Sequence, residues 1–566
     1  MTTPPFPEPP PSPPPTPLEE VDARVDALAQ KKDEWVKVAV ARRIDLLRQC
    51  MDALLAGAEA WVKDGSRAKG IAEGSPLEGE EWLAGPWQTM RNLRFFVQAL
   101  EAGGQPCLPR VKARRDGQLV ARVFPATVHD LLLFAGYSGE VWLQRGMPAT
   151  QGAAYREAVG AQGKVALVLG AGNVTSIAPM DVLYKLIADG AVVILKIHPA
   201  NAWLGPHIER AFAPLIAAGY LAVVQGGVEV GAHLANHPKV DTLHVTGSDR
   251  TYDAMVWGVD PALREQRRAA DEPVNRRPFT AELGCVTPVL VVPGPWSAAD
   301  MRYQARQVAG MVAQNASFNC NAAKVLVVAR GWLQRETFLG MVDEELSRTP
   351  PRKAYYPGSA ERYEGFLRAY PGAKVLGAKG DGVIPWTVVA DVPAERGEYA
   401  LTHEAFCGVL AEVALEATTP VEFLEKAVTF ANEACRGTLS CMMLVHPATR
   451  EQYEPELDRT VASLRYGGVA INCWAGAVYA LVATTWGAFP GHTPRDIQSG
   501  VGVVHNGYLL DFPEKSVVRA PFRSWPTPAW FADHRNLARL GRELLRMEHS
   551  PSCMQLLRVA REAVRG

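Results

Sequence analysis

The sequence predicts an α/β protein built on a parallel, doubly wound sheet. From residue 164 onward, apolar runs of strand length alternate with amphipathic segments of helix length. This rhythm favours parallel strands with helices on both faces and a nucleotide site at the carboxyl ends of the strands. A second alternating region, residues 289–472, predicts a second α/β domain. The first region contains predicted strands at 165–169, 192–196, 222–225 and 243–246, and predicted helices at 178–188 and 206–218.

Length, charge and cysteine content narrow the class of protein. A chain of 566 residues is too long for one compact core, so two or three domains are expected. A net charge of −1 gives no reason to expect binding to nucleic acid or to an anionic membrane. The nine cysteines show no CxxC or Cys/His spacing, so we expect neither a metal site nor a disulfide framework, and a reducing cytoplasm is the natural compartment.

The N-terminal segment is rich in proline. It has neither the basic nor the apolar region of a signal peptide, and the chain has no apolar run of about 18 residues that would predict a membrane span. Residues 1–18 are predicted to be disordered or polyproline II, either as a passive tail or as a partner-binding segment. The next segment, to about residue 101, has one apolar helical face, formed by Val36, Val40, Ile44, Leu47, Met51 and Leu54.

A carboxylate and a thiol each lie at a predicted strand boundary. Glu282 comes just before the apolar run 289–292, and Cys320 comes just before 325–328. Small or amide residues flank both. Covalent catalysis needs a nucleophile and a general base, and these two side chains supply both.

Five further segments accompany this pair in a fixed order. They are Gly170-Ala171-Gly172-Asn173-Val174-Thr175, Ile194-Leu195-Lys196-Ile197-His198-Pro199, Val245-Thr246-Gly247-Ser248, His403-Glu404-Ala405-Phe406-Cys407-Gly408 and Trp486-Gly487-Ala488-Phe489-Pro490-Gly491. In order and approximate spacing, the seven segments resemble the aldehyde dehydrogenase superfamily, as a divergent bacterial-type member, from about residue 35 to about residue 525.

The resemblance implies a Rossmann-type cofactor domain, an α/β catalytic domain and a β oligomerisation arm. The expected divisions are the tail (1–18), N-terminal helices of the cofactor domain (19–116), a strand-rich bridging segment (117–163), the cofactor-binding core (164–283), the catalytic domain (284–480), a return to the cofactor domain with the oligomerisation strand (481–525) and a helical C-terminal extension (526–566).

The resemblance also implies catalytic roles for three residues. Cys320 matches the nucleophile, whose thiolate attacks an aldehyde to form a thiohemiacetal and then a thioester. Glu282 matches the base that activates water to hydrolyse the thioester. Asn173 matches the side chain that forms an oxyanion hole together with the Cys320 backbone N–H.

Five residues match cofactor-binding positions of the family. Lys196 matches the lysine that contacts ribose hydroxyls. Gly247 and Ser248 match a turn at a helix N-terminus near the pyrophosphate, where small residues and the helix end favour phosphate. Glu404 and Phe406 match the pair that holds the nicotinamide ribose and ring.

The chain departs from the family pattern at several of these motifs. Ala171-Gly172 replaces Pro-Trp, Tyr252 replaces a second glycine, and Cys285 replaces a glycine, with either a redox or a packing role. Pro199 stands where NAD-preferring members carry a glutamate. Loss of that carboxylate removes repulsion toward a 2′-phosphate, so we expect NAD or NADP, with NADP at least tolerated.

The remaining expectations concern partners and less specific segments. The partners are a small-molecule aldehyde and further copies of the chain as a homodimer or homotetramer, because residues 516–520 resemble the exchanged strand of the family. Asn472 fits a position close to the active site, or is structural, and 486–491 with 499–502 resemble a loop near the substrate mouth. The charged segment 264–272 is a solvated helix or loop, or a surface that meets a 2′-phosphate or a neighbouring subunit.

Two alternative functions remain open. A CoA-acylating dehydrogenase or acyl-CoA reductase would use the same cysteine but transfer the acyl group to a thiol. Glu282 favours hydrolysis instead, since many of those enzymes lack the base. A catalytically silent scaffold would keep the fold for binding only.

Overall fold

The structure is a computed structural model that describes residues 6–156, 162–377 and 380–566. Its helices, in chain order, are α1 Leu18–Trp35, α2 Val40–Ala68, α3 Glu78–Trp82, α4 Gln88–Glu101, α5 Val128–Leu133, α6 Ala153–Arg156, α7 Ile177–Ile187, α8 Gly205–Ala211, α9 Ala213–Ala217, α10 Val228–Asn236, α11 Asp249–Trp257, α12 Pro261–Ala270, α13 Ala298–Ala313, α14 Arg335–Arg348, α15 Ser359–Ala369, α16 Tyr399–Thr402, α17 Pro420–Glu433, α18 Pro447–Gln452, α19 Glu454–Ser463, α20 Gly476–Ala480, α21 Leu537–His549 and α22 Cys553–Val564.

The strands, in chain order, are β1 Arg110–Ala113, β2 Leu119–Phe124, β3 Ser138–Leu143, β4 Val165–Leu169, β5 Val192–Lys196, β6 Leu221–Val224, β7 Thr242–Gly247, β8 Phe279–Leu283, β9 Pro288–Val291, β10 Val325–Ala329, β11 Lys374–Val375, β12 Thr387–Val389, β13 Val409–Leu415, β14 Ser440–Leu444, β15 Gly468–Ile471, β16 Trp486–Gly487, β17 Gly500–Val501, β18 Val503–His505 and β19 Pro513–Arg519. A π-helical turn, Leu83–Trp87, and 3₁₀ turns at Pro199–Leu204 and Gln314–Ser317 complete the set.

Six strands form the predicted doubly wound sheet, in the order β17-β8-β7-β4-β5-β6. The five longer strands are parallel and β17 is antiparallel to β8. Strands β4 and β5 are buried at every residue, because helices cover both faces of a parallel sheet. The predicted α/β class and Rossmann-like architecture are confirmed.

The second sheet has eleven strands, in the order β1-β2-β3-β19-β15-β14-β9-β10-β13-β12-β11. Its parallel part, from β19 through β12, is the predicted second α/β region. Antiparallel strands extend the sheet at both edges. The segment predicted as an exchanged strand, 516–520, lies in β19 except for its last residue, and β19 pairs with β3 and β15 of its own chain.

Some predicted elements differ in detail. The helix predicted at 206–218 is two helices, α8 and α9, because Pro214 has no backbone N–H to continue the ladder and Phe212 leaves helical geometry. Strand β1 lies within the segment predicted as N-terminal helices, and β18 is an additional strand after residue 502. The charged segment 264–272 falls mostly in α12, which has no buried residue, as predicted for a solvated helix.

The N-terminal segment is attached to the body of the protein. Residues 6–17 have no regular secondary structure. However, Pro10 is buried, and the Thr16 backbone and hydroxyl bond the backbone of Gln225. This part of the chain is therefore packed rather than a free tail, while residues 1–5 of the predicted tail lie outside the described residues.

The predicted C-terminal helical extension is present as α21 and α22. The Arg91 and Arg94 guanidiniums of α4 bind the buried Glu548 carboxylate of α21 at 2.5 and 2.6 Å. These pairs attach the extension to the N-terminal helices. None of the helices in the described parts of the chain combines the length and apolar character that crossing a bilayer requires.

Candidate active site

The carboxyl edge of the six-stranded sheet aligns two of the predicted site residues. Leu169 at the end of β4 is in register with Lys196 on one side and with Val245 on the other. One residue further along β7, Thr246 is in register with Glu282. Parallel strands bring their carboxyl ends to the same edge, so Lys196 and Glu282 lie along the edge where nucleotide sites form.

The Cys320 loop is held by Asn315, five residues before the thiol. Residues Asn315, Ala316 and Ser317 all have positive φ, at 55°, 56° and 70°, which is a costly conformation for residues other than glycine. The Asn315 side-chain amide donates to the carbonyls of Phe318 and Asn173, both at 3.2 Å. This amide therefore stabilises the strained turn that presents Cys320.

The Cys320 backbone is fixed from two sides. Its carbonyl oxygen accepts hydrogen bonds from Lys324 Nζ at 2.9 Å and from Thr287 Oγ1 at 3.2 Å. Cys320 as a whole residue is half-buried. Burial is the main cause that raises the pKa of Cys320 well above its ordinary value, and the Glu282 carboxyl adds to the rise while Lys324 opposes it.

The Glu282 carboxyl is buried beside that thiol. Only 3% of the residue is exposed, and its Oε1 has no hydrogen-bond partner among the described residues. Burial raises the pKa of Glu282 to about 8, and interactions with the Cys320 thiol and the Trp486 indole oppose the rise. The carboxyl is therefore protonated near neutral pH and releases its proton in the mildly alkaline range.

Gly500 of the late motif explains how Glu282 is positioned. Gly500 pairs with Glu282 across the sheet edge and has a φ of 117°. A Cβ at this position would lie 1.9 Å from the Ala281 carbonyl oxygen, so only glycine lets the two strands meet. The motif 499–502 thus lies against Glu282.

Asn173 is joined directly to the Cys320 loop. Its Nδ2 donates to the Phe318 carbonyl at 2.8 Å, and its own carbonyl accepts from the Tyr355 hydroxyl at 3.0 Å. A primary amide carries a second N–H. The structure therefore brings Asn173 next to the loop that carries the thiol, as the sequence predicts.

Glu404 and Phe406 reach the same region from the loop before β13. Glu404 Oε1 lies 3.0 Å from Lys324 Nζ, and a Cβ at Gly284 would lie 1.9 Å from Glu404 Oε2. Gly284 is therefore required for the close approach of this carboxylate. The Phe406 ring packs on Phe318, two residues before Cys320, at 5.9 Å between centroids.

Lys196 and His198 lie together at the end of β5, and burial lowers the pKa of both side chains. Burial lowers the pKa of Lys196 to about 8, and no described residue pairs with its ammonium group. Burial and the neighbouring Lys196 lower the pKa of His198 to about 4, so the imidazole is neutral at pH 7. The imidazole stacks on Tyr356 at 6.0 Å, and a Cβ at Gly172 would lie 2.3 Å from His198 Nδ1.

Gly247 and Ser248 are exposed at the start of α11. Ser248 caps this helix, and its hydroxyl accepts from the Thr251 N–H at 3.2 Å. A Cβ on Gly247 would meet no atom closer than 3.9 Å, so the turn is open to a ligand. Tyr252, which replaces the second family glycine, is buried and packs on Phe279 at 4.9 Å.

Two further residues singled out in the sequence are structural. Cys285 is fully packed, and burial raises the pKa of its thiol, which favours the packing role over the redox one. The Asn472 side chain accepts from the Val445 N–H at 2.7 Å and donates to the Val445 carbonyl at 3.1 Å. Asn472 therefore joins the ends of β14 and β15.

Lys324, Thr287 and Tyr355 belong to the site but were not identified from the sequence. Lys324 had a signal, because a lysine directly before the wholly apolar strand β10 is unusual unless it has a partner. Thr287 lies in the Glu282 motif, before Pro288. Tyr355 carries no local signal, since its contact with Asn173 spans 182 positions.

A cavity of about 530 Å³ lies next to this site. Its lining includes Arg396, Arg436, Arg465 and His492, together with Gly437. A Cβ on Gly437 would lie 3.0 Å from the Cys285 Cα, so this cavity borders the backbone that follows Glu282. Neither Cys320 nor Glu282 lines it.

Comparison with known proteins agrees with the motifs. Residues 129–351, which contain Asn173, Lys196, Glu282 and Cys320, match the model of the aldehyde dehydrogenase family. No curated protein sequence matches the chain. The resemblance to the aldehyde dehydrogenase superfamily is confirmed at the level of this segment and of the fold.

Similar solved structures cover most of the chain. The aldehyde dehydrogenase KauB from Pseudomonas aeruginosa is 19% identical, with a TM-score of 0.61, over 88% of this chain and 89% of that one. A Mycobacterium tuberculosis aldehyde dehydrogenase complexed with NAD+ is 19% identical, with a TM-score of 0.61, over 88% of each chain. An E. coli NADP dependent enzyme is 18% identical, with a TM-score of 0.58, over 89% of this chain and 90% of that one. At these identities the likeness shows the fold.

The burial of Glu282 predicts a dependence of stability on pH. Its folded pKa of about 8 lies above the ordinary value of 4.5, so the folded state holds a proton that the unfolded state releases. Wild-type stability should therefore fall, relative to Glu282→Gln, as pH rises from about 4.5 to about 8, by up to about 4 kcal/mol. Chemical denaturation across this range measures the difference.

The exposed Glu451→Gln variant is the matched control and should follow the wild type at every pH. A constant difference between wild type and Glu282→Gln would contradict the buried, protonated carboxyl.

Proposed function

We propose, from the premise that this chain carries an aldehyde dehydrogenase family segment within an aldehyde dehydrogenase fold, that it is an NAD(P)-dependent aldehyde dehydrogenase. It oxidises an aldehyde to a carboxylic acid through a cysteine-bound acyl intermediate. The observation that carries the proposal is the burial of the Glu282 carboxyl beside the Cys320 thiol, where each shifts the pKa of the other.

Cys320 is the nucleophile in this proposal. Its thiol loses a proton and attacks the aldehyde carbon, which gives a thiohemiacetal and, after oxidation, a thioester on the sulfur. Strained loop geometry and two hydrogen bonds to its carbonyl hold the residue in place. Such fixing of the nucleophile lowers the entropic part of the barrier.

Glu282 is the general base. A base is most effective when its pKa lies near the operating pH, and the pKa of about 8 meets this condition. In the deprotonated form, its Oε1, which has no hydrogen-bond partner among the described residues, can accept a proton from the Cys320 thiol or from an attacking water. Glu282 thus prepares the water that releases the acid from the thioester.

Asn173 stabilises negative charge on the substrate oxygen. Its Nδ2 already lies beside the Cys320 loop, and its second N–H can join the Cys320 backbone N–H as a donor. A preorganised donor of this kind typically lowers the barrier by about 3 kcal/mol.

The chain's own residues fit a nicotinamide dinucleotide. Lys196 places at the sheet edge an ammonium group that pairs with no residue in the described parts of the chain. Gly247 and Ser248 leave an open turn at a helix N-terminus. Glu404 and Phe406 lie beside the Cys320 loop. When bound there, the cofactor supplies the hydride acceptor for the oxidation.

The residues after Lys196 support use of both NAD and NADP. Pro199 begins a 3₁₀ turn and brings no carboxylate, so a 2′-phosphate meets no repulsion from this position. The neutral His198 adds no positive charge at pH 7. Tolerance of NADP therefore rests on the missing carboxylate and on Lys196.

Two alternative functions, a CoA-acylating enzyme and a catalytically silent scaffold, predict different assay results. A CoA-acylating enzyme would release acyl-CoA when CoA is added to the assay, whereas the buried base Glu282 supports hydrolysis. A silent scaffold would oxidise no aldehyde. The contacts that connect Asn173, Cys320 and Glu404 into one site argue against a scaffold.

The organisation of the chain follows from the same proposal. We propose a division into a cofactor domain, a catalytic domain and a β arm, as the resemblance implies, and the cytoplasm as the compartment. The chain is proposed to form a homodimer or homotetramer. In the structure β19 completes the sheet of its own chain, so assembly would use other surfaces or an exchange of β19.

The nucleophile assignment predicts that Cys320→Ala abolishes aldehyde oxidation. A panel of aliphatic and aromatic aldehydes, assayed with NAD, with NADP and with added CoA, measures the activity and its product. Cys107→Ala, which removes an exposed thiol, should keep full activity. Unchanged oxidation in Cys320→Ala would eliminate the nucleophile, and a wild type inactive on the whole panel would favour the scaffold.

The base assignment predicts a separation of two kinetic phases. Glu282→Gln should still form about one reduced cofactor per site in a first turnover, while steady-state turnover falls by about 10²-fold or more, because the thioester is no longer hydrolysed. Rapid-mixing absorbance of the reduced cofactor measures both. Loss of the burst as well would mean that Glu282 mainly activates the thiol.

The cofactor assignment predicts that a carboxylate at position 199 selects against NADP. Pro199→Glu should lower kcat/KM with NADP by about tenfold or more relative to NAD, through repulsion of the 2′-phosphate. The control is Pro199→Gln, in which the side chain has nearly the same shape as glutamate but no charge. It should keep the wild-type ratio of kcat/KM with NADP to kcat/KM with NAD. A wild type active with NAD but inactive with saturating NADP would refute dual use.

A further inference from the structure

Lys324 is a buried cation that touches the nucleophile's backbone and a predicted cofactor ligand at once. Its Nζ donates to the carbonyls of Cys320 at 2.9 Å and Asn319 at 3.0 Å, and it lies 3.0 Å from Glu404 Oε1. Only 3% of the Lys324 side chain is exposed. Each polar contact of this ammonium group therefore belongs to the site.

The sheet places this lysine and leaves it little freedom. Lys324 directly precedes β10, and its N–H donates to the Thr287 carbonyl at 3.2 Å while its own carbonyl accepts from the Ala411 N–H at 2.9 Å. These bonds attach its backbone to the segments before β9 and within β13. From this fixed backbone the ammonium group reaches the Cys320 loop and Glu404.

A buried lysine needs compensation for its lost hydration. An unpaired ammonium in an apolar interior loses its proton or destabilises the fold, and two carbonyls with one carboxylate provide the compensation here. The result is a positive charge held close to a thiol that must become a thiolate.

We propose that Lys324 is a positioning residue for Cys320, which fixes the nucleophile's backbone and favours its thiolate, and that Glu404 acts as the counter-ion that limits this effect. The inference rests on the proposed nucleophilic role of Cys320 and deepens it. It gives Glu404 a role at the thiol in addition to its proposed contact with the cofactor.

The charges around the Cys320 thiol determine whether each substitution makes the thiol more or less acidic. Glu282 from β8 and Glu404 from the loop before β13 both disfavour the thiolate, and Lys324 from the start of β10 favours it. The Tyr479 phenol, from α20, faces the same region. Removal of Lys324 should therefore make the thiol less acidic, whereas neutralisation of Glu404 should make it more acidic.

The test is the pH dependence of alkylation by iodoacetamide, followed at the Cys320 peptide by mass spectrometry without aldehyde or cofactor. At pH 8, Lys324→Met should slow alkylation of Cys320 by about tenfold or more, the equivalent of one pKa unit, and Glu404→Gln should accelerate it by at least about threefold. The exposed Cys107 and Cys553 in the same samples are internal controls and should not change.

Lys324→Arg keeps the charge and should restore the alkylation profile to within about threefold of the wild type, which a role in packing alone does not predict. If Lys324→Met does not fold, Lys324→Arg and Glu404→Gln still give the comparison. An unchanged profile in folded Lys324→Met, or shifts of the same sign in Lys324→Met and Glu404→Gln, would overturn the inference. Failure of Cys320→Ala to abolish oxidation would instead refute the proposed function while leaving this profile intact.

Discussion

Burial of ionisable side chains where the two sheets meet is the constraint on which the rest of the site depends. Glu282 comes from the edge of one sheet, and Lys324 and Glu404 come from segments that enter strands of the other. Removal from water penalises each charge, so the carboxyl of Glu282 keeps its proton and Lys324 surrounds itself with oxygen atoms. The fold must hold these groups within a few ångströms, since a partner lost here leaves a buried charge uncompensated.

The departure from the family pattern at Gly172 goes together with a contact between aromatic rings. Gly172 replaces a tryptophan, and the space it leaves is filled by the His198 ring, which could not approach if position 172 carried a Cβ. That ring stacks on Tyr356, and Tyr356 in turn packs on Phe406 at 5.0 Å. A chain of rings thus replaces the single indole and connects the end of β5 to the loop of Glu404.

Local patterns predicted the elements and the reacting pair, because strand alternation and short motifs are properties of neighbouring residues. Asn173 follows the end of β4 and Glu282 lies at the end of β8, and these strand ends share one edge of a parallel sheet, whereas Cys320 comes from the loop before β10 of the other sheet. The role of Lys324 depends on Glu404, a residue 80 positions later, and the fit of Gly500 against Ala281 spans 219 positions. Such contacts follow from how the two sheets meet, which the sequence pattern does not specify. The same holds for β19, whose partners in register lie 48 positions away in β15 and 370 to 381 positions away in β3.

The proposals give the Glu404 carboxylate two contacts, one with Lys324 and one with a ribose hydroxyl of the cofactor. The positions of its two oxygen atoms are compatible with both contacts. Oε1 faces Lys324, and Oε2 lies against the backbone at Gly284, which has no side chain to block it. A carboxylate offers about four lone-pair sites, so a ribose hydroxyl can donate to it without displacing the lysine. Such a hydroxyl would draw negative charge toward itself and weaken the hold of Glu404 on Lys324. More of the lysine's positive potential would then act on the Cys320 thiol, so the proposed contact of Glu404 with a cofactor would make the proposed nucleophile more acidic.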